Sequence, residues 1–279
     1  MTAQTDLLLQ VEHLIVSYDG AVALDDVSVD VRAGEVHAVI GEGGAGKTTL
    51  MKVVSGYIPL GGYSGQMLLN GRVMQHRSVR DGLQQGVAMT PRKISLFDHM
   101  SVAENVTMTK GELDRRFSFS RRSTRDEAAD VLRNWEIAVP LDADVRTLSP
   151  LQRRQLMIAN ALAVGPQLLM LDEPFSGMPD ARSVSVLVRL IRRMAERGVT
   201  CMFLTPRSAD AMLVADAITV LRDGTVAGEW RGAELDEATL AAAMQSERAY
   251  DPAAAIHHED FEERPGPLDH WFKGIRRQP

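Results

Sequence analysis

The segment that most restricts the fold of this chain is GEGGAGKTTL, residues 41–50, which lies between an apolar run and a helical pattern. Residues 41–48 fit the spacing G-x-x-x-x-G-K-[ST], with EVHAVI before them and TTLMKVVSG after them. Glycines allow successive backbone N–H groups to face phosphate oxygens, and the first turn of the following helix adds amide donors. The segment therefore predicts a strand, a phosphate-binding loop and a helix, in that order.

A second segment, QLLMLDEP at 167–174, ends an apolar strand in two carboxylates. We expect Asp172 to hold Mg²⁺ through water, and Glu173 to be the base, or the water-orienting group, for attack on a γ phosphate. In the loop, Lys47 is expected to reach the β and γ phosphates, and the hydroxyl of Thr48 to bind Mg²⁺. The loop residues predicted to contact the nucleotide are Gly41, Glu42, Gly43, Gly44, Ala45, Gly46, Lys47, Thr48 and Thr49.

Short apolar runs bounded by turn residues predict strands at 14–18, 36–40, 167–171, 201–205 and 217–221. The runs after residue 35 are nearly continuous, as in parallel strands that are buried on both faces, and helical patterns lie between them. This order predicts an α/β fold with a mostly parallel sheet. Together with the loop at 41–48 it resembles the RecA-like core of P-loop NTPases.

Two further regions differ from this core. The pairs Asp19-Gly20 and Asn70-Gly71 mark turns between strand-like runs and predict an antiparallel β flank. Residues from about 93 to 165 are mostly helical in pattern, and we interpret them as an inserted helical subdomain of a nucleotide-binding domain that spans residues 1–245.

Residues 246–279 are rich in proline and charge and predict an irregular C-terminal extension. His257, His258, Glu259 and Asp260 form a potential metal cluster, but we interpret them as a solvated polar segment. Trp271 and Phe272 could dock on a partner or on the domain itself, and the sequence leaves both alternatives open.

Composition excludes several classes of protein. A formal net charge of −6 argues against a dedicated nucleic-acid binder, and we interpret the basic stretch 115–125 as the coat of an exposed helix or loop. The lone Cys201, in an apolar run, is expected to be a small buried residue. No apolar run approaches the length of about 20 residues that crosses a bilayer, and the first ten residues lack the pattern of a signal peptide.

With GEGGAGKTTL, LLMLDEP and LSPLQRRQ between them, the chain resembles the nucleotide-binding subunits of ATP-binding cassette (ABC) transporters from about residue 7 to 245. AGEVHAVIGEGGAGKTTLMKVVSG, SVAEN and ITVLRDGTVAG are most similar to the first cassette of sugar and related solute importers, and less closely to branched-chain amino acid importers. The resemblance implies ATP and Mg²⁺ as ligands and a peripheral position on the cytoplasmic side of the membrane. It also implies three kinds of partner, which are transmembrane permease subunits, a solute-binding protein and a second cassette.

In the family this chain resembles, two cassettes meet head to tail, and ATP lies between the phosphate loop of one and the LSGGQ signature of the other. On this resemblance Tyr18 is the aromatic residue that stacks on adenine, although a strand tyrosine that packs into the β flank is equally consistent with the sequence. Leu96, Phe97 and Met100 would receive a helix of the membrane subunit, or would belong to the core.

Three positions depart from the family pattern. LSPLQ replaces LSGGQ, so Ser149 and Gln152 are kept while Pro150, which has no N–H, and the bulky Leu151 replace the glycines. The same residues predict a helix start, with Ser149 as N-cap, Pro150 at the first helical position and Gln152 completing a capping box.

Arg92 stands where the family has a glutamine that senses Mg²⁺ and the attacking water. It could reach a phosphate as a cation or turn to solvent, and we favour solvent. Pro206 stands where a histidine would clamp the γ phosphate, and Pro179 stands where an aspartate is usual.

The motifs and the family resemblance together predict the ATP-binding subunit of an ABC importer for a sugar or a related small solute. Because the departures affect both sides of the nucleotide sandwich, we expect weak or absent hydrolysis by this chain alone and pairing with a more conventional ATPase subunit. The alternative is an ATP-binding regulatory or scaffold protein with little hydrolysis.

Overall fold

The computed structural model describes residues 7–114 and 121–245. These residues form ten strands, which are β1 (Leu7–Tyr18), β2 (Ala21–Arg32), β3 (Val36–Ile40), β4 (Ser64–Leu69), β5 (Arg72–Val73), β6 (Val87–Thr90), β7 (Leu168–Asp172), β8 (Thr200–Thr205), β9 (Ala217–Arg222) and β10 (Thr225–Arg231). They also form eight α-helices, which are α1 (Lys47–Val54), α2 (Val79–Gln84), α3 (Val102–Leu113), α4 (Arg121–Asn134), α5 (Pro150–Leu162), α6 (Ala181–Glu196), α7 (Ser208–Met212) and α8 (Glu237–Met244).

The central sheet has the strand order β10-β9-β3-β8-β7-β6, and all neighbours are parallel except the β10–β9 pair. Ile40 of β3 is level with Thr205 of β8, and Asp172 of β7 is level with Leu204. The carboxyl ends of these strands therefore meet at one edge of the sheet, which is where ligands of such sheets bind. This confirms the predicted α/β core with a mostly parallel sheet.

The second sheet has the order β2-β1-β4-β5 and is antiparallel throughout, which confirms the predicted β flank. Its two tight connections are the predicted ones, because Asp19-Gly20 joins β1 to β2 and Asn70-Gly71 joins β4 to β5. Asp19 and Asn70 have φ angles of 47° and 50°, the left-handed conformation that short polar residues tolerate in hairpin turns.

Alternate residues of the central strands point to opposite sides and build two cores. Leu169, Leu171 and Phe203 pack against α5 and α6, whereas Leu168 and Met202 pack against α1 and the antiparallel sheet. Cys201 is buried in the first core, and burial raises the pKa of its thiol to about 12, so it is a small buried residue as predicted.

Helices α3, α4 and α5 pack together between β6 and β7, where the helical pattern lies. Asn160 of α5 links two of them, since its Nδ2 donates to Asn105 O at 2.6 Å and its Oδ1 accepts from Thr109 at 2.7 Å. None of the described helices combines the length and the apolar character that a bilayer crossing requires.

Some sequence expectations were incomplete. Strands β6 and β10 and the short helices α2, α7 and α8 were not predicted. The expectations for His257, His258, Glu259, Asp260, Trp271 and Phe272 lie outside the described residues, as does most of the basic stretch, although Arg122 and Arg125 of α4 are exposed.

Candidate functional site

The carboxyl edge of the central sheet gathers most of the residues singled out from the sequence. The phosphate loop, residues 41–46, follows β3, and Asp172 and Glu173 end and follow β7. Arg92 follows β6 after one residue, and Pro206 follows β8 directly. These segments come from four neighbouring strands, so the fold, rather than their distance along the chain, brings them together.

The loop conformation depends on glycine at specific positions. Gly46 caps α1 with φ at 97°, and a Cβ atom there would lie 2.7 Å from the carbonyl oxygen of Ala23. Gly44 has φ at 82°, and a Cβ atom there would have no described heavy atom within 4 Å. The loop is therefore tightly packed on the protein side at Gly46 and open at Gly44, as a cradle for an anion requires.

Lys47 begins α1, and its side chain folds back over the loop. The ammonium Nζ donates to the carbonyl oxygens of Gly41 at 2.7 Å and Glu42 at 2.8 Å. Burial lowers the pKa of Lys47 to about 8, an effect that the charges of Glu173 and Asp172 oppose. A bound polyphosphate would supply the negative charge that this partly desolvated ammonium lacks.

The two carboxylates differ in setting. Asp172 is the last residue of β7 and is only 8% exposed. Glu173 has φ at 42°, a left-handed conformation that is uncommon for a residue with a side chain and is often found at functional sites. Its N–H donates to Leu204 O at 2.9 Å, which fixes the turn that directs the carboxylate.

The donor set fits Mg²⁺. This ion is usually held by one or two protein oxygens together with substrate phosphates and water, rather than by a cage of side chains. The hydroxyl of Thr48, at the start of α1, and the carboxylate of Asp172 are oxygens of this kind at the same edge of the sheet. We therefore keep these two residues as the proposed magnesium ligands.

Arg92 makes a contact that neither sequence alternative anticipated. Its Nε lies 3.2 Å from Glu173 Oε2, and the exposed fractions of the two side chains are 57% and 17%. Arg92 is exposed, as the favoured expectation had it, and the same side chain also pairs with Glu173, which neither alternative included. A cation therefore lies beside one oxygen of the carboxylate that we expect to act on water.

Arg154 is a residue that sequence reasoning missed. It lies on α5, is 3% exposed, and donates to Pro91 O at 3.2 Å, Arg92 O at 3.1 Å and Ser176 O at 3.5 Å. Burial lowers the pKa of its guanidinium, and the charges of Asp172 and Glu173 oppose that effect. Its only sequence signal is its place in a helix that starts with LSPLQRR, so the contact could not be inferred locally.

Tyr18 ends β1 and is half-buried against the core between the two sheets. Burial raises the pKa of its phenol, and a hydrogen bond with Thr49 of α1 has the opposite effect. Packing into the β flank, one of the two sequence alternatives, is what the structure has. A stacking contact with adenine stays a prediction.

The signature segment forms the predicted helix start. Ser149 Oγ accepts from Gln152 N at 3.3 Å, and Gln152 Oε1 accepts from Ser149 N at 3.0 Å, a complete capping box with Pro150 in the first turn of α5. Pro150 is exposed and Leu151 is half-exposed. The helix is thus kept although a backbone donor has been lost.

The position expected for a histidine is chemically different. Pro206 is exposed at the end of β8, and no histidine occurs in the sequence between His99 and His257. Just beyond it, Arg207 pairs with Asp210 at 2.7 Å, and Asp210 also accepts from Thr205 at 3.1 Å. This network is internal to the turn between β8 and α7.

The loop before α3 contains the three apolar residues considered for a membrane partner. Leu96 packs against the first core, and Leu96, Phe97 and Met100 are all partly exposed. Asn105 fixes the loop, since its Oδ1 accepts from Phe97 N at 2.9 Å and its Nδ2 donates to Phe97 O at 3.1 Å. The residues therefore combine core packing with an accessible surface.

The protein-family model for ABC transporters matches residues 24–176. The chain belongs to the ABC transporter family. Among its curated relatives are two xylose import ATP-binding proteins named XylG. That of Moorella thermoacetica is 34% identical over 79% of this chain and 44% of its own length, and that of Geobacillus kaustophilus is 32% identical over 85% and 47%.

Solved structures agree on the fold of this ABC family member. CbiO1 from Clostridium perfringens, part of an ABC transporter complex, superposes with a TM-score of 0.72 over 96% of this chain and 99% of that chain, at 24% identity. That likeness concerns the fold alone. The chain spans less than half the length of the curated relatives that it matches.

Proposed function

We propose that this chain is the ATP-binding subunit of an ABC importer for a sugar or a related small solute. The observation that carries the proposal is the meeting of Lys47 and its glycine loop with Asp172 and Glu173 at one edge of the sheet. The names of the curated relatives, which are xylose import ATP-binding proteins, support the solute class.

In this function the loop N–H groups and Lys47 bind the phosphates of ATP, and the start of α1 favours their negative charge. Thr48 and Asp172 would hold Mg²⁺, which would supply positive charge to the terminal phosphates. Glu173 orients the attacking water and accepts its proton.

We further propose that hydrolysis by this chain alone is weak or absent. Pro150 lacks the signature N–H, Pro206 lacks the imidazole, and Arg92 is a cation that pairs with Glu173. Loss of one donor to the transition state costs on the order of a hundredfold in rate, so several losses should be visible. The chain then works in a pair with a second, more conventional cassette.

The proposed partners are transmembrane permease subunits, a second nucleotide-binding subunit and a solute-binding protein, with this chain peripheral on the cytoplasmic side of the membrane. ATP-driven closure of the two cassettes would move the permease. The partly exposed surface formed by Leu96, Phe97 and Met100 is where we propose that the permease makes contact.

Calorimetry with Mg-ATP tests the central claim. The full chain should bind, and Lys47→Ala should lower the affinity at least tenfold, because the variant removes the cation that reaches the phosphates. Lys110→Ala is the matched control, since Lys110 pairs with Glu127 in the helical region and lies in α3. No binding by the parent chain, or equal loss in both variants, would contradict the proposal.

A regulatory or scaffold protein that binds ATP with little hydrolysis is the second candidate, favoured by the replaced residues at positions 92, 150 and 206. Extraction from native membranes separates the two functions. Co-purification with a multi-span protein and a second cassette supports the transporter, and recovery without them in the soluble fraction supports the regulator.

A further inference from the structure

The ion pair between Arg92 and Glu173 joins two loops that follow neighbouring strands, β6 and β7. A carboxylate that acts on water needs an oxygen available to that water. In this structure Arg92 Nε lies 3.2 Å from one of the two oxygens, and the carboxylate is only 17% exposed. A cation in this position lies on one side of the carboxylate and restricts the approach of water from that side.

The backbone on the carboxylate side is fixed. Glu173 has φ at 42°, its N–H donates to Leu204 O at 2.9 Å, and its own carbonyl accepts from Ser176 N at 3.0 Å. Because the left-handed region of φ/ψ space is small, these contacts restrict how far the Glu173 backbone can turn away from Arg92.

The backbone on the arginine side is fixed as well. The buried guanidinium of Arg154 donates to Pro91 O at 3.2 Å and to Arg92 O at 3.1 Å, so it holds the two residues from which the Arg92 side chain projects. The same guanidinium donates to Ser176 O at 3.5 Å, in the loop that follows Glu173. Arg154 thus sets the distance between the two loops that the ion pair bridges.

Resting on the proposed function, we propose that Arg92 is a positioning residue that holds Glu173 in an ion pair and thereby lowers the rate of hydrolysis at this chain's own nucleotide site. In the reaction the water oxygen bonds to the terminal phosphorus, and the bond from phosphorus to the bridging oxygen breaks. Its electron pair leaves with ADP, and Glu173 accepts the water proton. The arginine opposes this transfer because its guanidinium lies 3.2 Å from one of the two carboxylate oxygens and restricts the approach of water to that oxygen.

A different role for Arg92 makes the opposite kinetic prediction. If the guanidinium left Glu173 and bound the terminal phosphate of ATP, its removal would weaken substrate binding or the transition state. The two roles are therefore separated by how kcat and KM for ATP each respond to one substitution.

The test compares steady-state ATP hydrolysis by the full chain, by Arg92→Gln and by Arg92→Met. Methionine is a neutral side chain of similar length without the amide that the family has at this position, so a rise common to both variants reports loss of the ion pair. We expect kcat to rise about two- to fivefold, the fold-change that corresponds to an ion pair of this exposure, with KM changed by less than about twofold. Arg92→Lys keeps the charge and should raise kcat less than Arg92→Gln does.

Arg133→Gln is the matched control. Arg133 pairs with Asp130 at 3.0 Å within α4, so the variant loses one positive charge and one ion pair outside the site. Its kcat should equal that of the parent chain. A kcat for Arg92→Gln that is unchanged, lower or below detection, or a KM that rises severalfold, overturns the proposal.

A second measurement uses the protein without nucleotide. Thermal unfolding of Arg92→Gln, Glu173→Gln and the double variant forms a double-mutant cycle. If the ion pair is present, the Tm shift of the double variant should differ by about 2 °C from the sum of the two single shifts. Additive shifts overturn the ion pair itself. If calorimetry shows no Mg-ATP binding to the parent chain, the proposed function fails even where this cycle shows coupling.

Discussion

The lowered pKa of Lys47 predicts that ATP affinity depends on pH within an accessible range. Burial lowers the pKa to about 8 in the nucleotide-free protein, from an ordinary value of 10.5. Phosphate binding favours the charged ammonium, so nucleotide binding must raise this pKa again. Below pH 8 the ammonium is already charged, and above pH 8 binding requires the uptake of a proton.

The size of the effect follows from the protonated fraction. With a pKa near 8, about nine tenths of Lys47 is charged at pH 7 and about one tenth at pH 9, so Kd should rise about tenfold between these values, or about 1.4 kcal/mol. Ionisation of Mg-ATP itself contributes little to the change in Kd between pH 7 and pH 9, because the second pKa of a phosphate monoester is about 6.

Calorimetry at pH 7, 8 and 9 measures this directly. At pH 8, titrations in two buffers with different ionisation enthalpies should show uptake of about half a proton per nucleotide bound. Lys47→Arg stays charged over this range, so its affinity, although changed in size, should lose the pH dependence. A parent Kd that is constant from pH 7 to 9, with no proton uptake, would refute the assignment of a buried ammonium that becomes paired on binding.

Two further substitutions test the local structure of the site. Gly46→Ala should lower the free energy of unfolding by about 2 kcal/mol or more in denaturant, because φ is 97° and the added Cβ would lie 2.7 Å from Ala23 O. Gly198→Ala is the control, since φ there is 85° but the Cβ would have no neighbour within 4 Å, and it should cost about 1 kcal/mol. Equal losses would argue against the close approach. Ser149→Ala should lower the free energy of unfolding by about 1 kcal/mol because the capping box is lost, and Ser185→Ala on α6 should change it by less than about 0.5 kcal/mol.

Sequence reasoning succeeded where the signal is local. The glycine loop between β3 and α1, the hairpin turns and the capping box at Ser149 each depend on residues within a few positions of one another, and each has the predicted form. Strand β6 was missed because it has only four residues, Val87–Thr90, and β10 was missed because its residues, Thr225–Arg231, are mostly half-exposed and include a glycine and two charged residues.

The charged contacts of the site could not be predicted from local sequence in the same way. Arg92 and Glu173 are far apart in sequence, and their contact depends on the parallel pairing of β6 with β7 and on the left-handed backbone of Glu173. Arg154 looks like an exposed helical arginine in the sequence, yet tertiary packing buries it and directs it at carbonyl oxygens. Such contacts follow from the assembled fold rather than from any local pattern.

The signature segment shows how far a fold can be kept while a binding surface changes. In the capping box the Ser149 oxygen is an acceptor, so its O–H can still donate a hydrogen bond. The N–H of Leu151 lies in the first turn of α5, where helix N–H groups have no intrahelical acceptor. Compared with LSGGQ, the segment LSPLQ lacks only the N–H at Pro150, while Leu151 adds bulk. If the segment covers a neighbouring nucleotide as proposed, we expect it to close less tightly rather than to lose all contact, because the Ser149 hydroxyl and the Leu151 N–H remain as donors.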